Sequence, residues 1–550
     1  MRELLMVELL YFPFYVGLLI LVSPFVGYYM AFVLNAKVLP LESIFRRFLY
    51  SGEPPSQTPK QYLNSMVVFH LLGGGILFLI LRYQNFLPMN SLGIPGMDWD
   101  LALNTTISFV TNTNWQAYSG ESQLSTFSQM VGLTPQNFLS AGVGISILTF
   151  VSRSIVSSSA LKFGNFWQDL FRSTFYILLP ISFFVAILLV GQGVIQSFQE
   201  PIQALGLDGQ PQTIPMGPAA SQIAIKQIGT NGGGFFGVNS AHPFENPTPI
   251  SNFIQMFSIL FLPASCVFLY GKITNSFRHA WVIFFVMLAF FILGFVCVFY
   301  SEWNHPGFWE GKETRFTLTE STLWLSATTA ASNGSVNSMH DSYSPLAGGI
   351  AIFQMMLGEI IFGGVGTGMY GMFLFLILTV FLSGLMTGRT PEYFGKKIGS
   401  YEIKWTLFGI LAPTVCILVG TMITIFLESG YSAKGPHALS QILYAYSSAA
   451  GNNGSAFAGF SADTIWGNLS LGFSMLVGRF SVIYAVVFVA GSLGGKVTTK
   501  STDGNFKLDT LLFGILVFCV ILIVCGLSFF PVLALGPILE QLLVGKGIFF

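Results

Sequence analysis

Along this chain, apolar stretches long enough to cross a bilayer alternate with shorter polar intervals, ten times in all. About 20 apolar residues in helical conformation traverse roughly 30 Å of hydrocarbon. On that measure the candidate spans are 7–33, 62–82, 130–152, 172–194, 251–270, 279–300, 346–386, 404–428, 468–491 and 510–532. The seventh is too long for one helix and contains Gly363-Gly364-Val365-Gly366-Thr367-Gly368. Glycine there predicts a break, which is tolerated at membrane depth only where protein or a wet cavity satisfies the freed backbone groups.

A second pattern lies between the spans. Four intervals carry a similar polar signature: Thr111-Asn112-Thr113-Asn114, Thr230-Asn231-Gly232-Gly233, Ser332-Asn333-Gly334-Ser335 and Asn452-Asn453-Gly454-Ser455. Each follows a short helix-compatible segment, namely Leu101–Val110, Ala219–Ile228, Glu320–Ala331 and Ala438–Ala450. Segments so short cannot cross a bilayer, so each reads as a re-entrant pore helix. The chain is therefore expected to be an all-α polytopic membrane protein with a fourfold pseudo-symmetric repeat of helix, pore helix, loop and helix. The repeats are placed at 62–152, 172–270, 279–386 with its broken last helix, and 404–491. Residues 1–61 and 510–550 add one transmembrane helix at either end, the first read as a retained anchor rather than a signal peptide because Glu3 and Glu8 interrupt its basic end.

Composition agrees: apolar residues make up 53% of the chain and charged residues 9%, which excludes the ordinary soluble and disordered classes. Sixteen of the 24 basic residues fall in the connections after odd-numbered spans, Arg46, Arg47, Lys272, Lys397 and Lys500 among them. Those connections are placed in the cytoplasm, so both termini and all four signatures face outward. The five cysteines all lie in apolar spans and read as small buried hydrophobes.

The signature points to a chemistry. Glycine lets successive carbonyls turn toward a common axis, where four loops of neutral oxygens replace the water shell of a monovalent cation. On this reading the filter is made by Thr111, Asn112 and Thr113; Thr230, Asn231 and Gly232; Ser332, Asn333 and Gly334; and Asn452, Asn453 and Gly454. The Thr and Asn side chains would brace the loops from behind. Thr113 stands where the other copies have Gly, so the first loop is expected to differ in geometry. Arg479 lies inside the ninth span and must pair, snorkel or line water, with a role in the pore or its gate expected. Glu359 precedes the glycine break, where its charge either pairs with a neighbouring element or is exposed. His340-Asp341 and His242 with Glu245 read as vestibule packing, since they lack the spacing of a metal site.

No energy source is visible. Gly491-Ser492-Leu493-Gly494-Gly495-Lys496-Val497-Thr498 lacks the spacing of a phosphate loop and the hydroxyl residue directly after Lys. Any nucleotide hydrolysis would belong to a partner.

Several longer stretches carry a family resemblance. Thr111-Asn112-Thr113-Asn114-Trp115-Gln116, Gly229 to Phe236, Ala241 to Thr248, Met339-His340-Asp341-Ser342, Gly388-Arg389-Thr390-Pro391-Glu392-Tyr393 and Asn453 to Gly459 resemble the A subunits of Kdp-type P-type ATPases, within a superfamily of K⁺ transporters. The resemblance covers essentially the whole chain. It implies K⁺ as the transported ion, no bound organic cofactor, and ATP used by a partner P-type ATPase subunit (B), with a C subunit and a small single-span F subunit, in a bacterial inner membrane. It carries over Thr113, Gly232, Gly334 and Gly454 as filter positions and Gln116 beside the first loop. The broken span, with Gly364, Gly366 and Gly368, becomes a gate-like element, and Arg479 the positive residue beneath it. Gly237 departs from the family pattern, which has Asn there. The competing readings are a self-sufficient K⁺ symporter or channel-like transporter, and a membrane scaffold that transports nothing.

Overall fold

A computed structural model describes residues 2–37, 39–43, 54–158, 161–305, 310–498 and 507–548. Arg46, Arg47 and Lys500, used above to orient the chain, lie outside the described residues. Among the described residues ten helices are long and apolar enough to cross a membrane, in register with the ten stretches read from the sequence, and the chain is a multi-pass membrane protein. Beyond the helices the described residues hold two small antiparallel hairpins, Ile202–Leu205 with Pro211–Ile214 and Glu392–Tyr393 with Lys396–Lys397.

The four short segments are helices: Trp99–Val110, Ala219–Ile228, Leu318–Ala330 and Gly435–Ala450. Local chemistry starts several elements where it does. Thr317 caps the third short helix by accepting from the Glu320 amide, and the Glu320 carboxylate reaches back to the Thr317 amide. The spans beginning at Pro59 and Pro249 use the same reciprocal cap, from Thr58 with Gln61 and from Thr248 with Ser251, and proline needs no partner for its missing donor.

Burial separates inner from outer helices. In their most apolar 18-residue stretches the spans that follow the first three loops, Ser128–Val156, Pro249–Ile273 and Thr367–Thr387, have 83%, 78% and 78% of residues buried, against 28% in Pro59–Arg82 and Ser400–Phe426. The outer helices turn apolar side chains such as Leu71, Leu72 and Phe408 toward hydrocarbon, while the inner helix Thr134–Val156 buries Ser140, Ser146, Thr149 and Ser152 against protein. Cys297 and Cys519 correct the cysteine reading: they are exposed on the apolar flanks of spans, although Cys266 and Cys525 are buried. A thiol tolerates hydrocarbon as readily as a protein interior.

The seventh apolar stretch is broken as its glycines predict. Helix Pro345–Met356 ends, ten residues follow without helix, and Thr367–Thr387 resumes. The tenth span runs past its expected end to Val544, with a kink of non-helical backbone at Gly536 ahead of Pro537.

The first helix, Arg2–Asn35, packs along Pro249–Ile273 at Gly27, where an added Cβ would lie 2.6 Å from both Phe268 Cβ and Ser265 O. Close approach through a small residue is how helices associate when lipid and protein are equally apolar. Replacing Gly27 with Leu is expected to destabilise the protein by about 1–3 kcal/mol through overpacking. Gly17, with nothing within 4 Å of an added Cβ, should accept Leu at little cost. Thermal unfolding of the two variants in detergent checks the contrast.

Candidate functional site

Each short helix ends in a loop that folds back on it in the same way. The amides of Thr113, Asn231, Asn333 and Asn453 donate to the carbonyls five residues earlier, Ser108, Lys226, Thr328 and Ser448, at 2.9, 2.8, 3.1 and 2.8 Å. The residue before each donor has left-handed backbone: Asn112 at φ 67°, Thr230 at 51°, Ser332 at 49° and Asn452 at 49°.

This geometry corrects the register expected for the first copy. Thr113 corresponds to Asn231, Asn333 and Asn453, and Asn114 rather than Thr113 corresponds to Gly232, Gly334 and Gly454. The matching letters misled because Asn accepts left-handed backbone unusually well, so Asn112 takes the turn position that Thr230 and Ser332 hold elsewhere. The role of glycine is divided too. Gly232 and Gly454 have φ of 91° and 100°, and Asn114 is left-handed at 53°, but Gly334 is absent from that region.

The loops touch in sequence and close a ring. A Cβ on Gly232 would lie 2.0 Å from Gly334 N, one on Gly334 would lie 2.8 Å from Asn453 O, and one on Gly454 would lie 2.1 Å from Thr113 O. The first and second loops meet through side chains: Asn112 Nδ2 donates to Gly229 O and Thr230 O, and Asn231 Nδ2 donates to Asn112 Oδ1 at 2.6 Å.

Asparagine does most of the bracing, and it does so between units. Asn333 Nδ2 donates to Lys226 O, Asn453 Nδ2 to Thr328 O, and Asn452 Nδ2 to Thr113 Oγ1. The first two add a donor from a neighbouring unit to helix-end carbonyls that already receive the fold-back amides, and the third reaches a hydroxyl of the first loop. Thr111 Oγ1 bonds Thr113 Oγ1 within the first loop. Gln116 clasps the second loop twice, its Oε1 accepting from Gly234 N and its Nε2 donating to Gly234 O. The carbonyls of Thr113, Asn231 and Asn453 accept no hydrogen bond among the described residues, whereas Asn333 O accepts from Thr328 Oγ1.

The broken segment adjoins these loops. Gly358, Glu359, Phe362, Gly363 and Gly366 all have φ between 59° and 80°. Gly363 N donates to Ala330 O at the end of the third short helix, and Val365 N donates to Thr230 Oγ1 in the second loop. Gly366 and Gly368 permit the close approach: a Cβ on Gly366 would lie 2.2 Å from Gly144 O, and one on Gly368 would overlap Phe362 O, whereas one on Gly364 would meet nothing nearer than Thr367 Oγ1 at 3.2 Å. Arg479 is brought to the same place. Its Nη1 donates to Thr367 Oγ1 at 2.6 Å and lies 4.0 Å from Glu359 Oε2, while Nη2 donates to Ser140 O. Glu359 is buried rather than exposed. Ser140 in turn donates to Asn112 Oδ1 and accepts from Asn231 Nδ2, so arginine, broken segment and loops share one network.

Two clusters beside the loops give Glu245 and Asp341, read above as vestibule packing, partners that the sequence reading missed, Lys226 and His437. Lys226, fully buried, bonds Asn239, Ser240 and Glu245. Its signal was available as a lone charge inside an apolar ten-residue segment. At the mouth, His437 bridges Asp341 at 3.1 Å and Glu540 at 2.9 Å, fastening the terminal helix Leu539–Val544 to the fourth short helix. His340 is buried against Tyr444 OH, which bonds Ser455 Oγ beside the fourth loop. Gly237 lies outside the ring, its amide donating to Glu121. Among the described residues no group of three or more His, Cys, Asp or Glu could hold a metal ion.

Partial burial of His437 opposes its charge, but the hydrogen bonds and negative charges of Asp341 and Glu540 prevail and raise it to about 10. Because the folded value lies above the ordinary one of 6.5, this contribution to stability is complete below pH 6.5 and is lost as pH rises through about 10. Hydrogen exchange of residues 539–544 should accelerate across that interval beyond the intrinsic effect of pH, and His437→Gln should remove the added dependence.

Comparison with known proteins adds a family and a fold. The family model described as KdpA, potassium-transporting ATPase A subunit, matches residues 14–542. A Leptospira interrogans protein named potassium-transporting ATPase potassium-binding subunit is 55% identical over 521 residues, 92% of this chain and 94% of that protein. A Pseudomonas aeruginosa protein of the same name is 49% identical over 560 residues, 98% and 99% of the two chains. Among solved structures, the potassium transporter TrkH from Vibrio parahaemolyticus is similar with a TM-score of 0.52 at 14% identity, covering 84% of this chain and 97% of its own. That likeness shows the fold.

Proposed function

The chain belongs to the family of potassium-transporting ATPase A subunits, and from that membership we propose that its four loops are the K⁺-selecting entrance of an ATP-driven uptake pump. The observation that carries this reading is the closed ring of loops, each folded back on a short helix, with asparagines of neighbouring units bracing the first three. Neutral backbone oxygens in such a ring suit a large monovalent cation, which gives up its water shell at modest cost and needs no carboxylate ligand. The filter residues are Thr111 to Asn114, Thr230 to Gly232, Ser332 to Gly334 and Asn452 to Gly454, in four pseudo-symmetric repeats within 62–152, 172–270, 279–386 and 404–491.

Beneath the ring, the segment 357–366 acts as a gate, held to the loops by Val365 and Gly363 and flanked by Arg479, which donates to Thr367 at its end. A cation leaving the filter meets this segment and the guanidinium, which together oppose straight passage to the far side. The ion is instead handed sideways toward a partner P-type ATPase subunit (B) that hydrolyses ATP, in a complex completed by a C and a small F subunit. The excess of basic residues in the connections after odd-numbered spans supports loops and both termini facing outward, and family membership supports a bacterial inner membrane.

Gly232→Asp provides the test, since it adds both bulk and charge where Gly334 N leaves no room for a Cβ. In the reconstituted complex the K⁺ concentration for half-maximal ATPase activity should rise at least about tenfold, and discrimination against Na⁺ should fall. Unchanged affinity together with unchanged discrimination would remove the filter assignment.

A further inference from the structure

The four carbonyls that receive the fold-back bonds belong to Ser108, Lys226, Thr328 and Ser448, and the side chains at these equivalent positions do a second job. Ser108 Oγ donates to Trp115 O, Thr328 Oγ1 donates to Ser335 O, and Ser448 Oγ accepts from Gly454 N. In three units, then, a short hydroxyl buckles the loop's outgoing strand to the helix it came from. The second unit has an ammonium group on a four-carbon arm instead.

That arm reaches much further along the chain. Lys226 Nζ spends its three donors on Asn239 Oδ1 at 2.7 Å, Ser240 Oγ at 2.9 Å and Glu245 Oε2 at 2.6 Å. Asn239 is thereby fixed, in left-handed backbone at φ 57°, with its Nδ2 donating to Gly232 O at 2.7 Å. Glu245 Oε1 takes the amides of Phe235 and Phe236, which set the path of the strand leaving the filter. Meanwhile Lys226 O accepts from Asn231 N, Gly232 N and Asn333 Nδ2. One residue thus grips the second loop at its start through the main chain and at its exit through the side chain, and it touches the third loop as well.

A buried ion pair is a poor way to gain stability, because desolvating two charges costs about as much as their attraction returns. A fully satisfied one does fix direction, since every donor and acceptor has a single assigned partner. We propose that Lys226 is a positioning residue for K⁺ selection, acting through Asn239 on the carbonyl of Gly232. The proposal rests on the four loops being the filter.

Two variants of the assembled ATPase complex test it: Asn239→Ala, which cuts the link without stranding a charge, and the paired change Lys226→Met with Glu245→Gln. Each should raise the half-activating K⁺ concentration about tenfold, leave maximal turnover within about twofold, and weaken discrimination against Rb⁺ and NH₄⁺. Combining all three substitutions should add little to Asn239→Ala, because they act through one bond. A merely structural role would lower the thermal midpoint and leave ion discrimination intact. Unchanged activation and discrimination in assembled Asn239→Ala, with Gly232→Asp still shifting both, would overturn the proposal while sparing the filter. If Gly232→Asp also shifts nothing, the filter reading itself falls. Should the paired variant fail to assemble, Asn239→Ala decides alone.

Discussion

Everything in this structure depends on how four stretches of irregular backbone are kept satisfied inside a hydrocarbon layer. A short helix that stops partway leaves carbonyls without partners, and each would cost several kcal/mol if lipid were its neighbour. The solution is a bond five residues back within each unit, joined in the second and third by an asparagine amide from the next unit, as Asn333 supplies to Lys226 O and Asn453 to Thr328 O. No loop is stable as a private structure. Each is completed by the next, and the ring they form is as much the consequence of that need as of any ion it receives.

The same economy joins the ring to the element beneath it. Thr230 places its backbone in the second loop and gives its hydroxyl oxygen to Val365 N of the broken segment. Ser140 accepts from Arg479 with its carbonyl and holds Asn112 and Asn231 with its hydroxyl. A shift of the broken segment therefore cannot leave the loops undisturbed, and a change in the loops is felt at Arg479. The guanidinium is too far from Glu359, at 4.0 Å, for a tight ion pair, so Thr367 and Ser140 provide its closest contacts. Such a loosely paired, buried charge is suited to moving between partners, whereas the Lys226–Glu245 pair at 2.6 Å is suited to staying still.

Elements set by local composition were legible in the sequence. The ten apolar stretches, the four short helices and the break near Gly363 follow from hydropathy, length and glycine content, and they need no knowledge of tertiary contacts. What depended on contacts between distant segments was not legible. Asn112 looks like the partner of Asn231, yet the helix carbonyls they fold back on show that Thr113 holds that place. The exposure of Cys297 and Cys519 depends on which helix flank meets lipid, and a nearly uniformly apolar helix does not declare its faces. Lys226 was visible as an oddity, but its partners Asn239 and Glu245 lie 13 and 19 residues onward in a loop whose return could not be foreseen.

Repetition within one chain also explains why the ring is uneven. Identical subunits around an axis must change together, so a substitution that helps one position is imposed on all four. Here the copies share a chain and are free to diverge. The first loop carries Asn114 where the others carry glycine, the second trades a hydroxyl for Lys226, the third has its following span broken at 357–366, and the fourth has Arg479 in the span after it. Each departure does something the common plan alone does not provide: a different turn, a buried ammonium anchor, a crossing segment, a guanidinium beside that segment. On the proposed reading of the loops as a K⁺ entrance, such inequality is useful. An ion that must be held, blocked from straight passage and directed to one side needs a surrounding that is not the same in every direction, and four unlike copies of one unit supply it.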